Sequence, residues 1–514
     1  MSQPEVTTEL SDLSGGQTGL RGQALLRRIA RDFIGLDTAY PIATGETTRR
    51  VYLDSNATTL MMGAAHRAMA AFLGHYANTH SLLHNSARMA TRAYAWAHER
   101  ILRFVKADPQ QYTCFFTGSG ATAGINRLAR VFRDIRPDRD TVLISIMEHH
   151  SNDLPHRKHL GRVIHLPVAA RPDGMGCVDT SALEKMLKTE RERVNYVAIT
   201  GVSNVTGIIN PIHKIARLAH EHGALVLVDG AQMVAHIPVQ VSSHDDPLEN
   251  LDALVFSGHK TYVPGSPGVV VARKEHLARI EPEEVGGGMV DRVFVERYTV
   301  SPNFPDREEA GTPNIVGAIG LATTIEVLDR IGMDFLLEEE SRLIDYSLEG
   351  LKSIPGVLVY GSTDTKTCPR AASISFNVEG VHHSMVTAIL NDYHNIAVRN
   401  ECFCAHPYVI EMIPDQAAEY VAMSDEELAA SYKPKPGMVR ASFGLYTTAE
   451  DVDALVAALK DIVKNQDTYM PRYRLGPSDH EYRHTTFAFD PDERFSVPRL
   501  VDKILRGFID NKSS

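Results

Sequence analysis

The chain has 514 residues, 43% hydrophobic and 23% charged, a globular balance with length for more than one core. A formal net charge of −11 excludes a general nucleic-acid binder, which needs a basic face. No apolar stretch approaches the roughly 18–20 residues of a membrane span, and the polar opening "MSQPEVTTELSDLSGG" lacks the basic start and apolar centre of a secretory signal.

Residues 1–50 are polar with one helical patch, "GQALLRRIARDFIGL", expected to be an arm that packs on the body. From Val51 onward, β-rich runs ("YTCFFTG", "TVLISI", "RVIHLPV", "RVNYVAIT", "ALVLVDG", "DALVFS", "GVVVA") alternate with amphipathic ones ("ATAGINRLARVFRDI", "TSALEKMLKTERE", "PIHKIARLAHEHG"). This alternation predicts an α/β domain over residues 51–320. Its sheet is mostly parallel and covered by helices on both faces, because strands buried on both faces read as continuous apolar runs.

"GTPNIVGAIGLATTIEVLDRI" predicts a long helix entered through a Thr-Pro start. A smaller α+β domain is expected over residues 321–465. Its strands lie near "GVLVYG", "AASISFNV" and "GMVRASF", and its helices at "HSMVTAILNDY" and "TAEDVDALVAALKDIV". Inside it, residues 405–437 are polar and broken and are expected to be an insertion. Residues 466–514 form a tail ending in the amphipathic "VPRLVDKILRGFI". The five cysteines, Cys114, Cys177, Cys368, Cys402 and Cys404, are too few for a disulfide framework and odd in number. They point to a reducing, cytoplasmic setting.

Polar residues gather where the strand runs end: "TGSGAT", "MEHHSN", "TGVSNVTG", "VDGAQ" and "SGHK". In open α/β sheets ligands bind beyond the carboxyl ends of strands, so five such ends predict one site. Lys260 closes a buried run. A lysine desolvated among hydrogen-bonding groups loses its proton readily and can condense with an aldehyde. The cofactor that uses this is pyridoxal 5′-phosphate, which also needs an acid for its pyridine nitrogen, a phosphate cradle and a group stacked on its ring. Asp229 ends "ALVLVDG" and can protonate the pyridine, and Gln232 follows three residues later. Gly120, Ala121 and Thr122 open a helix and can offer N–H groups to phosphate. Ser257 and His259 flank Lys260, and His149 is placed to stack. A metal at His149-His150 is disfavoured, since neighbouring strand residues point to opposite faces.

From Tyr52 to about Val463 the sequence resembles the class V branch of fold-type I pyridoxal phosphate enzymes, and within it the cysteine desulfurases and selenocysteine lyases. The matching stretches include "YLDSNATT", "EHHSN", "SNVTG", "FSGHKTYVPGSPGVVV", "AGTPNIVGAIGL" and "VRASFGLYTTAEDVDAL". The resemblance implies a mostly parallel, seven-stranded mixed sheet with a smaller C-terminal α+β domain. It implies that Lys260 carries pyridoxal 5′-phosphate, held by Asp229, Gln232, His149, Ser257, His259 and Thr122. It implies a homodimer with shared sites, in which Thr312 reaches the neighbouring subunit's phosphate. The substrate carboxylate falls to Arg440 with help from Asn204.

In "AVRNECFCAHP" a thiol lies five residues after Arg399, the spacing of the nucleophilic cysteine in that family, and the match falls on Cys404. The implied reaction converts L-cysteine to L-alanine, with sulfur held as a Cys404 persulfide and passed to a protein or small-molecule acceptor; selenocysteine is an alternative substrate. The chain departs from the pattern at Cys402 and Phe403, where histidines are usual, at Ser81 after the matching His80, where arginine is usual, and at Ala123, where glutamate is common. Cys402 reads as packing, a resolving thiol or half of a Cys-x-Cys pair. Two other readings stand beside the desulfurase. One is another class V enzyme, an aminotransferase, epimerase or C–S lyase that would not need Cys404. The other is a non-catalytic relay, which would have no use for Lys260 and Asp229.

Overall fold

The computed structural model describes residues 19–242, 245–431, 433–476 and 481–510. The first 18 residues of the expected arm lie outside these. All seven apolar runs join one sheet: β1 (Tyr112–Thr117), β2 (Thr141–Ser145), β3 (Arg162–Leu166), β4 (Val194–Thr200), β5 (Leu225–Asp229), β6 (Ala253–Ser257) and β7 (Gly268–Arg273). Their spatial order is β1-β7-β6-β5-β4-β2-β3. Strands β2 to β6 are parallel where they meet, and β7 runs antiparallel to both β6 and β1. The sheet is therefore mixed and mostly parallel.

Every residue of β2, β4 and β6 is buried, which is why these runs are rich in Val, Ile, Leu and Ala. On one face Val142, Ile144 and Tyr196 meet Ile125, Leu128 and Phe132 of the helix Gly120–Ile135. On the other, Leu143, Val197 and Val226 meet Ile212, Ile215 and Ala219 of the helix Ile212–Glu221. The alternation of neighbours between faces is the period of two expected for strands.

The long helix runs Ile315–Ile331, and its entry differs slightly from expectation. Asn314, after Thr312-Pro313, is the cap, its Oδ1 accepting Gly317 N at 2.9 Å. Of the expected arm, the helix Gly22–Ile29 and the residues after it place Ile29 and Phe33 in the core, with Phe33 edge-on to Tyr262 and Tyr446.

A second core gathers Leu53, Ile374, Phe376, Ile389, Val439 and Leu459. Its sheet comprises β8 (Val357–Val359), β9 (Ser373–Val378), β10 (Arg399–Glu401) and β11 (Met438–Ser442), ordered β8-β9-β11-β10 and antiparallel throughout. Val51–Tyr52 pairs parallel with Ile396–Ala397 beside it.

Residues 405–437 are less superficial than their polarity suggests. Three short helices, His406–Met412, Pro414–Ala422 and Asp425–Ala430, fill the stretch. Tyr408, Val409, Ile413 and Ala417 join the first core. Val409, Ile413 and Ala417 are four residues apart, a helical spacing, but the polar residues between them mask it. The tail ends in the helix Val497–Asp510, whose Val497, Leu500, Val501, Ile504 and Leu505 are exposed. Among the described residues no helix is long and apolar enough to cross a membrane.

Candidate active site

The carboxyl ends of β1, β2, β4, β5 and β6 open onto a cavity of about 430 Å³, within the range of a small-molecule or cofactor site. Gly120, Ala121, Thr122, His149, Asn204, Asp229, Gln232, Ser257, His259 and Lys260 all line it. These are ten of the residues singled out from the sequence, drawn from five strand ends.

Desolvation lowers the Lys260 amine to about 8, with Asp229 acting in the opposite direction. Burial raises the Asp229 carboxyl, and the Ala231 N–H that Oδ1 accepts at 3.0 Å and the charge of Lys260 pull it back. His149 is pushed down to about 3 by burial, then by Lys260, His150 and Arg440. Its Nδ1 accepts Ser151 N at 3.0 Å. His259 falls to about 4 by burial and the charge of Lys260. Gln232 is buried, and its Nε2 donates to the Asn56 carbonyl at 2.9 Å.

At the start of the helix Gly120–Ile135, Ser257 Oγ accepts Ala121 N at 2.8 Å and Gly118 O accepts Gly120 N at 3.0 Å. Two of the three backbone donors expected for phosphate are thus engaged internally, while the Thr122 hydroxyl meets Ser151 Oγ at 2.7 Å. Gly120 has φ +58, and a Cβ there would stand 2.8 Å from Ser257 Oγ. The approach of helix and strand requires glycine at this position.

Facing this rim are β10 and β11, where Arg399 and Arg440 are direct cross-strand partners. Two like charges in that register repel. Asp54 lies against both, 3.7 Å from Arg399 and 3.5 Å from Arg440. Arg440 is buried and its Nε has no partner. Its Nη1 donates to the Asn204 carbonyl at 2.8 Å. Burial lowers it to about 10 against the pull of Asp54.

The loop after β10 carries Cys404, which is exposed, while Cys402 is buried and pushed up to about 12 by burial. Phe403 and Cys404 both adopt left-handed backbone, φ 51 and 56. For non-glycine residues each costs on the order of 1–3 kcal/mol and needs outside support. That support is visible. Asn204 Nδ2 donates to the Phe403 carbonyl at 2.8 Å and His150 N to the Cys404 carbonyl at 2.7 Å. The Phe403 ring lies 4.7 Å from the Arg440 guanidinium. A thiolate at Cys404 raises the proton affinity of both Lys260 and Arg440.

Five expected residues do not line this cavity within one chain: Arg399, Arg440 and Cys404 stand on the strands and loop that face it, and Thr312 and His80 lie apart from it. Thr312 is exposed and accepts from Asn78 Nδ2 at 3.2 Å. His80 is exposed, at φ 64, and lines a separate cavity of about 300 Å³ with Tyr94 and His98.

The family model Aminotransferase class-V matches residues 51–455. The chain belongs to the class-V aminotransferase family. This class-V chain is 36% identical over 417 residues to a probable cysteine desulfurase of Halalkalibacterium halodurans, covering 80% of this chain and 92% of that one. It is 35% identical over 416 residues to a cysteine desulfurase of Escherichia coli, covering 80% and 93%. The apo structure of a cysteine desulfurase from Thermococcus onnurineus superposes with a TM-score of 0.69 at 30% identity, covering 81% of this chain and 95% of that one.

Pyridoxal 5′-phosphate is the cofactor of this family, and the cavity suits it. The amine held near 8, the buried Asp229 opposite it and the hydroxyl-rich helix start where added carbon would collide are the three parts such a group requires.

The supporting residues escaped sequence reasoning. Glu148, buried and raised to about 8 chiefly by burial, accepts Ser145 Oγ and Asn152 Nδ2, each at 2.6 Å. Asn152 Oδ1 meets His156 at 3.1 Å, and His156 meets Tyr196 Oη at 2.8 Å. This buried relay fixes the turn that presents His149. Asn56 likewise ties Gln232, Ser373 and Asn204 together. "MEHHSN" and "YLDSNATT" were visible as polar strand ends and matching stretches, but nothing local marks which of their residues face inward.

Proposed function

We propose that this class-V enzyme is a pyridoxal phosphate-dependent cysteine desulfurase acting on L-cysteine. What carries the reading is an exposed thiol, Cys404, held in a supported left-handed loop where its charge is felt by both Lys260 and Arg440. A transaminase or epimerase has no need of a nucleophilic sulfur in that place.

Lys260 would hold the cofactor's aldehyde carbon, Asp229 its ring nitrogen, Gln232 its phenolic oxygen, and Gly120, Ala121, Thr122, Ser257 and His259 its phosphate, with His149 against the ring. Bound there, the cofactor supplies an electron sink for carbanions next to the amino-acid nitrogen. The chain supplies the rest. Arg440 and Asn204 bind the substrate carboxylate, and Arg399 adds charge at the same rim. The Cys404 thiolate attacks the substrate sulfur. An S–S bond forms as the C–S bond breaks, and the released electron pair stays on carbon. That carbon takes a proton and leaves as the methyl group of L-alanine, while Cys404 keeps the sulfur as a persulfide. His149, neutral because its pKa lies near 3, is available to move a proton. Selenium in place of sulfur presents the same atom for attack, so selenocysteine fits the reading. The persulfide sulfur then passes to a protein or small-molecule acceptor.

A homodimer in the cytoplasm accompanies this reading. Its support is that Thr312 and His80 stand exposed and away from their own cavity, and that apolar residues such as Leu83 and Val295 are 94% and 104% exposed.

The test is product analysis. Wild type and Cys404→Ser are given L-cysteine with a thiol reductant, and alanine and sulfide are measured. Equal amounts of both from wild type and neither from the variant are expected. Alanine from the variant at the wild-type rate sinks the reading and directs attention to another class-V reaction.

A further inference from the structure

We propose that Phe403 couples capture of an amino-acid carboxylate at Arg440 to release of the Cys404 thiol from its resting loop. The inference rests on the desulfurase reading and concerns when its thiol becomes free to move.

Arg440 is 3% exposed, and its Nε is enclosed without a partner. A buried guanidinium with an unmade hydrogen bond is a site waiting for an anion, since an orphaned buried donor is costly. Asp54 Oδ1 approaches Nη2 at 3.5 Å, but no carboxylate pairs with Nε. The Phe403 ring lies across the guanidinium at 4.7 Å and is itself 8% exposed. On this proposal the ring is the cover that a substrate carboxylate displaces as it pairs with Arg440.

Phe403 cannot shift alone. Its carbonyl is held by Asn204 Nδ2 at 2.8 Å, and the Asn204 carbonyl accepts Arg440 Nη1 at 2.8 Å. Ring and carbonyl are therefore tied to the two residues expected to bind the carboxylate. The next residue is Cys404, and both are held at positive φ. Moving Phe403 removes the support for the strained pair, and the backbone of Cys404 relaxes with it. The carbonyl of Cys404 stays bonded to His150 N at 2.7 Å, which leaves a pivot for the thiol. The cover and the carboxylate compete for one arginine, so each weakens the other by the same factor.

The experiment uses the cofactor-loaded protein and L-alanine, which has the carboxylate but no sulfur. Two quantities are read: the Kd for L-alanine, from the cofactor's visible absorption, and the rate of Cys404 alkylation by iodoacetamide, from peptide mass spectrometry. In wild type, saturating L-alanine accelerates alkylation by about fivefold or more. In Phe403→Leu, whose side chain is too short to span the guanidinium, L-alanine binds about fivefold or more tightly. Its alkylation without ligand matches the liganded wild type. A purely packing role for Phe403 would leave the L-alanine affinity unchanged or weaken it, which overturns the proposal. Wild-type alkylation insensitive to saturating L-alanine overturns it without any variant. Neither measurement involves sulfur transfer from a substrate, so failure of the desulfurase reading in the Cys404→Ser assay is distinguishable from failure of this coupling.

Discussion

His149 Nδ1 accepts the backbone N–H of Ser151 at 3.0 Å, so the neutral ring carries its proton on Nε2. The ring is held neutral by burial and by the nearby charges of Lys260, His150 and Arg440. Its tautomer is thus set by the turn, and the turn by the buried relay from Ser145 through Glu148 and Asn152 to His156.

Within that relay His156 contributes acid sensitivity, whereas Glu148, raised to about 8, contributes in the opposite direction. Burial pushes His156 down to about 3, whereas in the unfolded chain it titrates near 6.5. Between these values the unfolded state binds more protons, so stability is full above about pH 6.5 and falls as pH drops. From pH 7 to 5 this residue alone removes roughly 2 kcal/mol. Urea midpoints across that window should fall less steeply for His156→Gln than for wild type. Equal slopes would mean that His156 is not held neutral by the fold.

Lys260 carries a prediction of the opposite kind. With its amine near 8, the fraction able to condense with an aldehyde rises through pH 8 and is nearly complete by about pH 9. Loading of apo-protein with pyridoxal phosphate should therefore speed up between pH 7 and 9 and then level. An ordinary lysine, near 10.4, would still be gaining at pH 9. Lys260→Ala should emerge from gel filtration without visible absorption, and a retained chromophore would remove the residue from its proposed role.

The two cysteines of the Cys-Phe-Cys loop should separate on labelling. Cys402 is 2% exposed and pushed up to about 12, while Cys404 is exposed. Iodoacetamide at pH 8 should modify Cys404 and leave Cys402 intact. Cys402→Ala should keep L-cysteine turnover within about twofold and lower stability by about 1 kcal/mol, a small buried group lost. A turnover loss comparable to that of Cys404→Ser would make Cys402 a participant.

Gly120→Ala tests the cradle. The new Cβ would meet Ser257 Oγ at 2.8 Å in a left-handed backbone. Strain of about 1–3 kcal/mol is expected. Cofactor retention should weaken, because the collision falls on the hydroxyl that anchors Ala121. Thermal unfolding with and without added pyridoxal phosphate separates the two effects, and an unchanged cofactor dissociation rate would count against a phosphate at this helix start.

The large sheet was legible because strands buried on both faces read as mainly apolar runs with few polar interruptions. Lys260, Asp229, His149 and Ser257 could be picked out for the same reason: a polar residue directly after an apolar run sits at a rim. Phe403 could not. An apolar residue in a short polar loop belongs to no periodic pattern, and its partner Arg440 lies on another strand. Asn56 and Asp54 act on residues up to 386 positions away, and no local signal encodes such a pairing. The first two helices of residues 405–437 were not legible because each is short and buries only one or two residues, too few to register as an amphipathic face.

The strand Val51–Tyr52 has a consequence for how the molecule comes into being. Val51 and Leu53 belong to the second core, where Leu53 N bonds to the Ala397 carbonyl and its own carbonyl takes Ser442 N. The Leu53–Ser442 contact spans 389 positions. During synthesis, a segment made near the outset has no partner until nearly the whole chain has emerged. Closing so long a loop is entropically slow. The large sheet can assemble while this segment waits, and Arg440, delivered by the last strand of the small sheet, takes its place beside Asp54 only then. The site therefore gains its anion-binding half at the end of folding, which makes carboxylate affinity a direct readout of a finished molecule.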